Sequence, residues 1–170
     1  MQTFITNSTD SLGVEALDSK RLNKQLLEAR QILNILVTMR NDPTATPAWR
    51  NHPAVKMWHG HEFQLFRYCT RLVIELNARG IKFDKNYEAI NKLMDSLDVD
   101  VAEIDTKPDW MTDPVKFDKV ITTHRASLYR KAPEFYPAEW DFDRRWVDRY
   151  HDQMVCCPRC NYYWPTHVED

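Results

Sequence analysis

Glu28 stands between Leu27 and Ala29, with Lys24 four residues and Arg21 seven residues before it. On a helix these spacings set both cations along the side that carries the carboxylate. A carboxylate at an apolar wall with cations in reach can give and take a proton, so Glu28 is a candidate general acid or base. An ordinary Glu–Lys surface pair has the same spacing, and residue types alone do not separate the two.

Three further groups have types and spacings that could do chemistry. Arg50, Asn51, His52, Lys56, His59 and His61 crowd together just before and after Pro53. His52 and His59 are two helical turns apart, as metal ligands on one face would be, but no carboxylate completes an obvious site. Alternatively Pro53 opens a helix that Asn51 caps, and Arg50, His52 and Lys56 face solvent around a helix N-terminus able to seat a phosphate. Farther on, His124, Arg125, Ser127, Arg130 and Lys131 are phosphate-contacting types, and Tyr129 could stack on a base; a solvated helix face is the plainer account. Near the end, Cys157 and Cys160 have zinc-knuckle spacing, and His151, Cys156 or His167 could complete a tetrahedron around a structural zinc. That is half of a ribbon's two pairs. The alternative is a reduced tail whose Tyr162, Tyr163 and Trp164 pack on the body.

The elements that must position these groups read as helices. Asp18 can cap a helix running to about Arg40, with Leu22, Leu26, Ala29, Leu33 and Leu36 on one buried face. A second long helix is expected from Asn51-His-Pro to the Gly80 stop, with Val55, Trp58, Phe66, Cys69, Leu72, Val73 and Leu76 in period. Its aromatic residues read as packing groups. Lys85 to Leu97 and Pro114 to Lys131 read as two more helices, and Trp140 to Met154 as a short last one. Asp98 to Asp113 reads as an acidic loop, and Thr3 to Thr6 as a short extended start. The fold class is therefore all-α, a compact bundle of about four to five helices over residues 1–137, followed by an irregular extension, residues 138–170.

Composition bounds the function. The 170 residues hold 43% hydrophobic and 28% charged side chains, and only three glycines. A Gly-rich phosphate loop and a turn-rich β fold are thereby disfavoured. No apolar run approaches the length of a membrane span, and the start lacks the pattern of a secretory signal. Four scattered or crowded cysteines make a poor disulfide framework, so a cytoplasmic protein with reduced thiols is expected. The net charge of −2 disfavours nucleic acid. Yet residues 95–114 carry seven acidic side chains against one lysine, which hides a mildly basic remainder.

Leu17-Asp-Ser-Lys-Arg-Leu22 followed by Glu28 resembles the first-helix motif of the pyrimidine dimer DNA glycosylases, the phage endonuclease V-type family. Trp49-Arg-Asn-His-Pro53 resembles the segment opening the second helix in bacterial relatives, and Ala78-Arg-Gly80 the one closing it. His124 to Tyr136, with Arg130 and Pro133, resembles later elements, so the likeness spans roughly residues 1–137. The resemblance implies that Glu28 is the catalytic carboxylate. It also implies that a terminal α-amine attacks the sugar C1′ to form an imine, which permits β-elimination. An α-amine suits this because it loses its proton far more readily than lysine. The family prototype exposes Thr after losing Met, whereas Met1-Gln2 retains Met, so Met1 itself would supply the amine. Leu27 and Gln31 stand where the prototype has arginines, which Arg21, Arg30 or Arg50 would replace. The implied partner is double-stranded DNA, contacted by Arg21, Lys24, Arg50, Asn51, His52, Lys56, His124, Arg125 and Arg130. The expectation is a monomer without a membrane partner or a catalytic cofactor, in a bacterial or infected host cell.

Overall fold

The computed structural model describes residues 1–97, 106–137 and 140. Among them are six α-helices, two of them single turns, one short 3-10 turn at Val14–Ala16, and no strand. The chain is all-α, and no described helix is long and apolar enough to cross a membrane. It divides into two compact units. One comprises Met1–Thr3 and Val14–Pro108; the other comprises Phe4–Gly13 and the chain from Asp109 onward.

The first unit is built on α1, Ser19–Asn41. The Asp18 carboxylate accepts the Arg21 backbone N–H at 3.0 Å, so a donor without an intrahelical partner is satisfied where the helix begins. Leu22, Leu26, Ala29, Ile32, Leu33 and Leu36 are almost fully buried. Each large apolar side chain so buried contributes about 1.5–3 kcal/mol. This face packs against α3, Glu62–Ala78, and α4, Asp84–Asp95.

The single long helix expected from Asn51 to Gly80 is instead two. α2 is one turn, Pro53–Lys56, and α3 starts six residues later. Gly60 adopts φ +77° between them, a left-handed conformation that no helix continues through. The apolar spacing of Val55 and Trp58 stays in phase across the break, which conceals it from periodicity. Asn51 is not the cap of α2. His52 is, with its Nδ1 accepting the Ala54 N–H at 3.1 Å. At the far end of α3, Arg79 donates to the Glu75 carboxylate and to the carbonyls of Leu17 and Glu15. That arginine ties the helix end to the chain entering α1, a structural task.

In the second unit, the short α5, Asp109–Thr112, precedes α6, Pro114–Lys131. Part of the stretch expected as an acidic loop is thus helical. Asp113 caps α6 by accepting from Val115 and Lys116. Phe4–Gly13 folds on itself: Thr6 donates its N–H to Leu12 and its hydroxyl to Gly13. A Cβ on Gly13 would lie 1.9 Å from the Thr6 hydroxyl, so only glycine fits there.

Candidate active site and DNA-contacting residues

The chain start is held in the first unit by a buried polar ladder. The Trp58 indole N–H donates to the Thr3 hydroxyl at 2.9 Å. Trp58 stacks on Tyr68, whose hydroxyl donates to the buried Gln25 of α1 at 3.2 Å. Without these partners the buried indole, phenol and amide would each be costly to desolvate. One residue nearer the terminus, the Gln2 backbone N–H donates to Glu28 Oε2 at 2.9 Å. The α-amine of Met1 is therefore one peptide unit away from the Glu28 carboxylate.

Glu28 projects from α1 with a side chain 15% exposed, and Lys24 Nζ lies 3.6 Å from its Oε1. The lysine side chain is 67% exposed, so the pair is loose and solvent-screened. Arg21, the other expected neighbour, pairs with Asp18 instead. His52 completes the constellation. Burial lowers its pKa, the positive charge at Met1 lowers it further, and the Glu28 carboxylate pulls the other way. Because Nδ1 accepts from Ala54, the neutral ring carries its proton on Nε2. The arrangement unites a terminal amine, a carboxylate and a neutral imidazole.

Trp49, beside these groups in sequence, is 66% exposed and has φ +70°. A bulky residue held left-handed costs about 1–3 kcal/mol and marks a turn imposed by its surroundings. Its ring meets His52 edge to face, with centroids 5.7 Å apart. Sequence reasoning gave Trp49 no functional part. Its place between Pro47 and Pro53, outside any apolar period, was the available signal.

The expected phosphate-contacting residues divide. Lys24, Arg50, Asn51 and Lys56 are exposed, and His52 and Arg21 are partly so. In the second unit, His124 is wholly buried, its Nδ1 accepting the Ile5 N–H at 3.0 Å. It presents no surface to a phosphate; burial, then the charge of Lys131, lowers its pKa to about 3. Arg125 donates to the Thr6 carbonyl at 2.7 Å and lies over the Trp140 ring. Arg130 is half-buried. Ser127 is buried as well.

No group of three or more His, Cys, Asp or Glu among the described residues is placed to hold a metal. His59 is exposed, and His61 lies 3.3 Å from the Thr106 carbonyl. The zinc-knuckle residues His151, Cys156, Cys157, Cys160 and His167, and all but the first residue of the expected helix from Trp140 to Met154, lie outside the described residues.

No curated protein and no solved structure matches this chain. A family model described as pyrimidine dimer DNA glycosylase matches residues 1–89, a stretch that contains Met1, Glu28, Trp49 and His52. That match covers more than half of the sequence, and the chain accordingly belongs to the pyrimidine dimer DNA glycosylase family.

Proposed function

We propose that the protein excises a damaged or modified base from double-stranded DNA, with Glu28 as catalytic carboxylate and the α-amine of Met1 as nucleophile. The observation that carries this is the 2.9 Å bond from the Gln2 N–H to Glu28, which brings the terminal amine to the carboxylate. In the first step the neutral amine forms a bond to C1′ and the glycosidic C–N bond breaks. The base leaves with the bonding electrons and takes up a proton from solvent water. Glu28 accepts the proton lost by the amine and returns it to O4′ as the C1′–O4′ bond breaks, so that the ring opens and leaves a protonated imine at C1′. Loss of a C2′ proton expels the 3′ phosphate by β-elimination, which is the lyase step.

A neutral His52 fits this scheme, because a second cation beside the amine would oppose the positive imine. Exposed Arg50, Asn51 and Lys56 supply phosphate contacts around the start of α2, with Lys24 beside Glu28. The chemistry uses only an amine and side chains, so no cofactor takes part. The protein acts as a monomer in the cytoplasm. Metal analysis of the purified protein decides between a structural zinc at Cys157 and Cys160 and a reduced, packed tail.

The test of the mechanism is covalent trapping. Borohydride should reduce the imine formed on a duplex with a single abasic site, and the adduct should map to the N-terminal peptide. Acetylating the terminus should prevent it. An adduct on Lys20 or Lys24 refutes the terminal amine. Excision without any adduct favours a second reading, in which Glu28 activates water.

A further inference from the structure

A chain terminus is ordinarily loose unless something ties it down, and a reacting group misplaced by about 1 Å can lose about a hundredfold in rate. Met1–Thr3 lies outside every helix, yet Gln2 and Thr3 are buried. Two hydrogen-bonded routes run from this segment to α1. The short one is the Gln2 N–H on Glu28 at 2.9 Å. The long one leaves from the Thr3 hydroxyl, which accepts the Trp58 indole N–H at 2.9 Å. It crosses the stacked rings of Trp58 and Tyr68 and ends where the Tyr68 hydroxyl donates to Gln25 at 3.2 Å. Gln25 and Glu28 are three residues apart on α1, so both routes end on one side of the same helix. Thr3, Gln25, Trp58 and Tyr68 are each at most 1% exposed.

We propose that Thr3, held by Trp58, is a positioning residue that sets the Met1 amine at its working distance from Glu28. The inference rests on the reading of Met1 and Glu28 given above. The two tethers differ in what the reaction does to them. Glu28 accepts the proton of the amine, and a neutral carboxyl group holds the Gln2 N–H less strongly than a carboxylate does. The bond to Gln2 thus weakens at the step in which the amine must stay on C1′. The hydroxyl and the indole carry no charge and gain none, so the tether through Thr3 keeps its strength throughout. An indole N–H is a donor only, and stacking on Tyr68 fixes its direction, which gives the Thr3 oxygen a defined place. Thr3 is two residues from the amine, at most about 7 Å of extended chain, so fixing it confines Met1.

The rate of borohydride trapping on a duplex with one abasic site, at saturating protein, reads the placement of the amine, and a titration of the same duplex reads binding. Thr3→Val keeps the shape of the side chain and removes the acceptor. Its trapping rate should fall about ten- to a hundredfold while Kd for the duplex stays within about twofold. Trp58→Phe removes the donor instead and should lose as much, and the two changes together should cost little more than either alone. Thr3→Ser keeps the hydroxyl and should trap within a few fold of the wild-type rate. A second glutamine inserted after Met1 leaves both tethers in place but carries the amine about 3.5 Å along the chain. It should trap as poorly as Thr3→Val, and at a partly exposed chain end it leaves the core untouched. Wild-type trapping by Thr3→Val or by the lengthened chain overturns the positioning role. So does a loss shared equally by Thr3→Ser, or a matching loss of duplex affinity. A wild-type protein that forms no adduct, or forms it on a lysine, removes the amine reading itself and the inference with it.

Discussion

Residues 50–56 and the last two turns of α6 offer nearly the same chemistry: arginines, lysines and a histidine beside an aromatic ring. The structure uses them differently. Around α2 the cations project into solvent, and the histidine caps the helix while its pKa responds to the charges of the terminal amine and Glu28. On α6 the histidine is sealed in the core of its unit, and Arg125 holds the Thr6 carbonyl. Residue type names what a group can bind; its place on the helix decides whether anything can reach it. The first region leaves its cations open to solvent, and the second holds Phe4–Gly13.

The strongest way to break this comparison is to remove the carboxylate proposed to do the chemistry. Glu28→Gln keeps an oxygen for the Gln2 N–H but cannot accept a proton. Excision should fall by about 10²–10⁴-fold, while melting temperature and DNA affinity stay near those of the wild type. Single-turnover excision alongside a binding titration measures both. Excision within a few fold of the wild type would leave Glu28 as a plain partner of Lys24.

The second region should respond to acid through stability instead. His124 folds as the neutral ring, with a pKa lowered from 6.5 to about 3. The unfolded chain therefore binds a proton that the folded chain refuses, and stability falls as pH drops below 6.5 toward 3. Each pH unit inside that window costs about 1.4 kcal/mol. Denaturant unfolding at pH 7 and pH 5 should differ by about 2 kcal/mol from this group alone. His124→Gln should be less stable at pH 7 but should lose that share of the acid sensitivity. An unchanged pH dependence in the variant would mean that His124 is not the buried neutral group.

These contrasts show what can be read from the residues and what cannot. The apolar face of α1 and its Asp18 cap follow from spacing and local hydrogen bonding, and the structure has both. The range of α6 follows equally from Pro114 and the terminal cations. The break at Gly60 escapes periodicity, since a short turn returns Phe66 and Cys69 to the same phase. The burial of His124 was legible in part: Val120 and Leu128, four residues either side, share its face and are buried too. Its neighbours Arg125 and Arg130 drew attention to charge instead. The bond between Gln2 and Glu28 spans 26 residues and depends on Trp58, Tyr68 and Gln25 packing behind it. No local pattern encodes such a contact; only the resemblance pointed to it.

Salt dependence sharpens the comparison further. Arg50→Glu should weaken duplex binding and lower the slope of log affinity against log salt by about 0.9, one phosphate contact. Arg125→Gln should leave the slope alone and lower the melting temperature, because it loses the bond to the Thr6 carbonyl. The reverse pattern, a stable Arg125 variant with a flattened slope, would move the interface to α6.

The smallest effects should come from two exposed lysines that look interchangeable. Lys24 approaches Glu28 at 3.6 Å with two-thirds of its side chain in solvent, so the pair carries little stability. Lys131 sits 4.8 Å from the centroid of the Phe4 ring, an attraction worth about 0.5–1 kcal/mol at an exposed site. Lys131→Gln should therefore cost about that much in unfolding free energy and leave the salt slope unchanged. Lys24→Gln should leave stability within about 0.5 kcal/mol yet reduce the slope, since a weakly held ammonium beside Glu28 is free to turn to a phosphate. Denaturant melts and salt titrations on the two variants read the four quantities directly. Equal slopes for both would show that Lys24 faces no phosphate, and the first region would then rest on Arg50 and Lys56 alone.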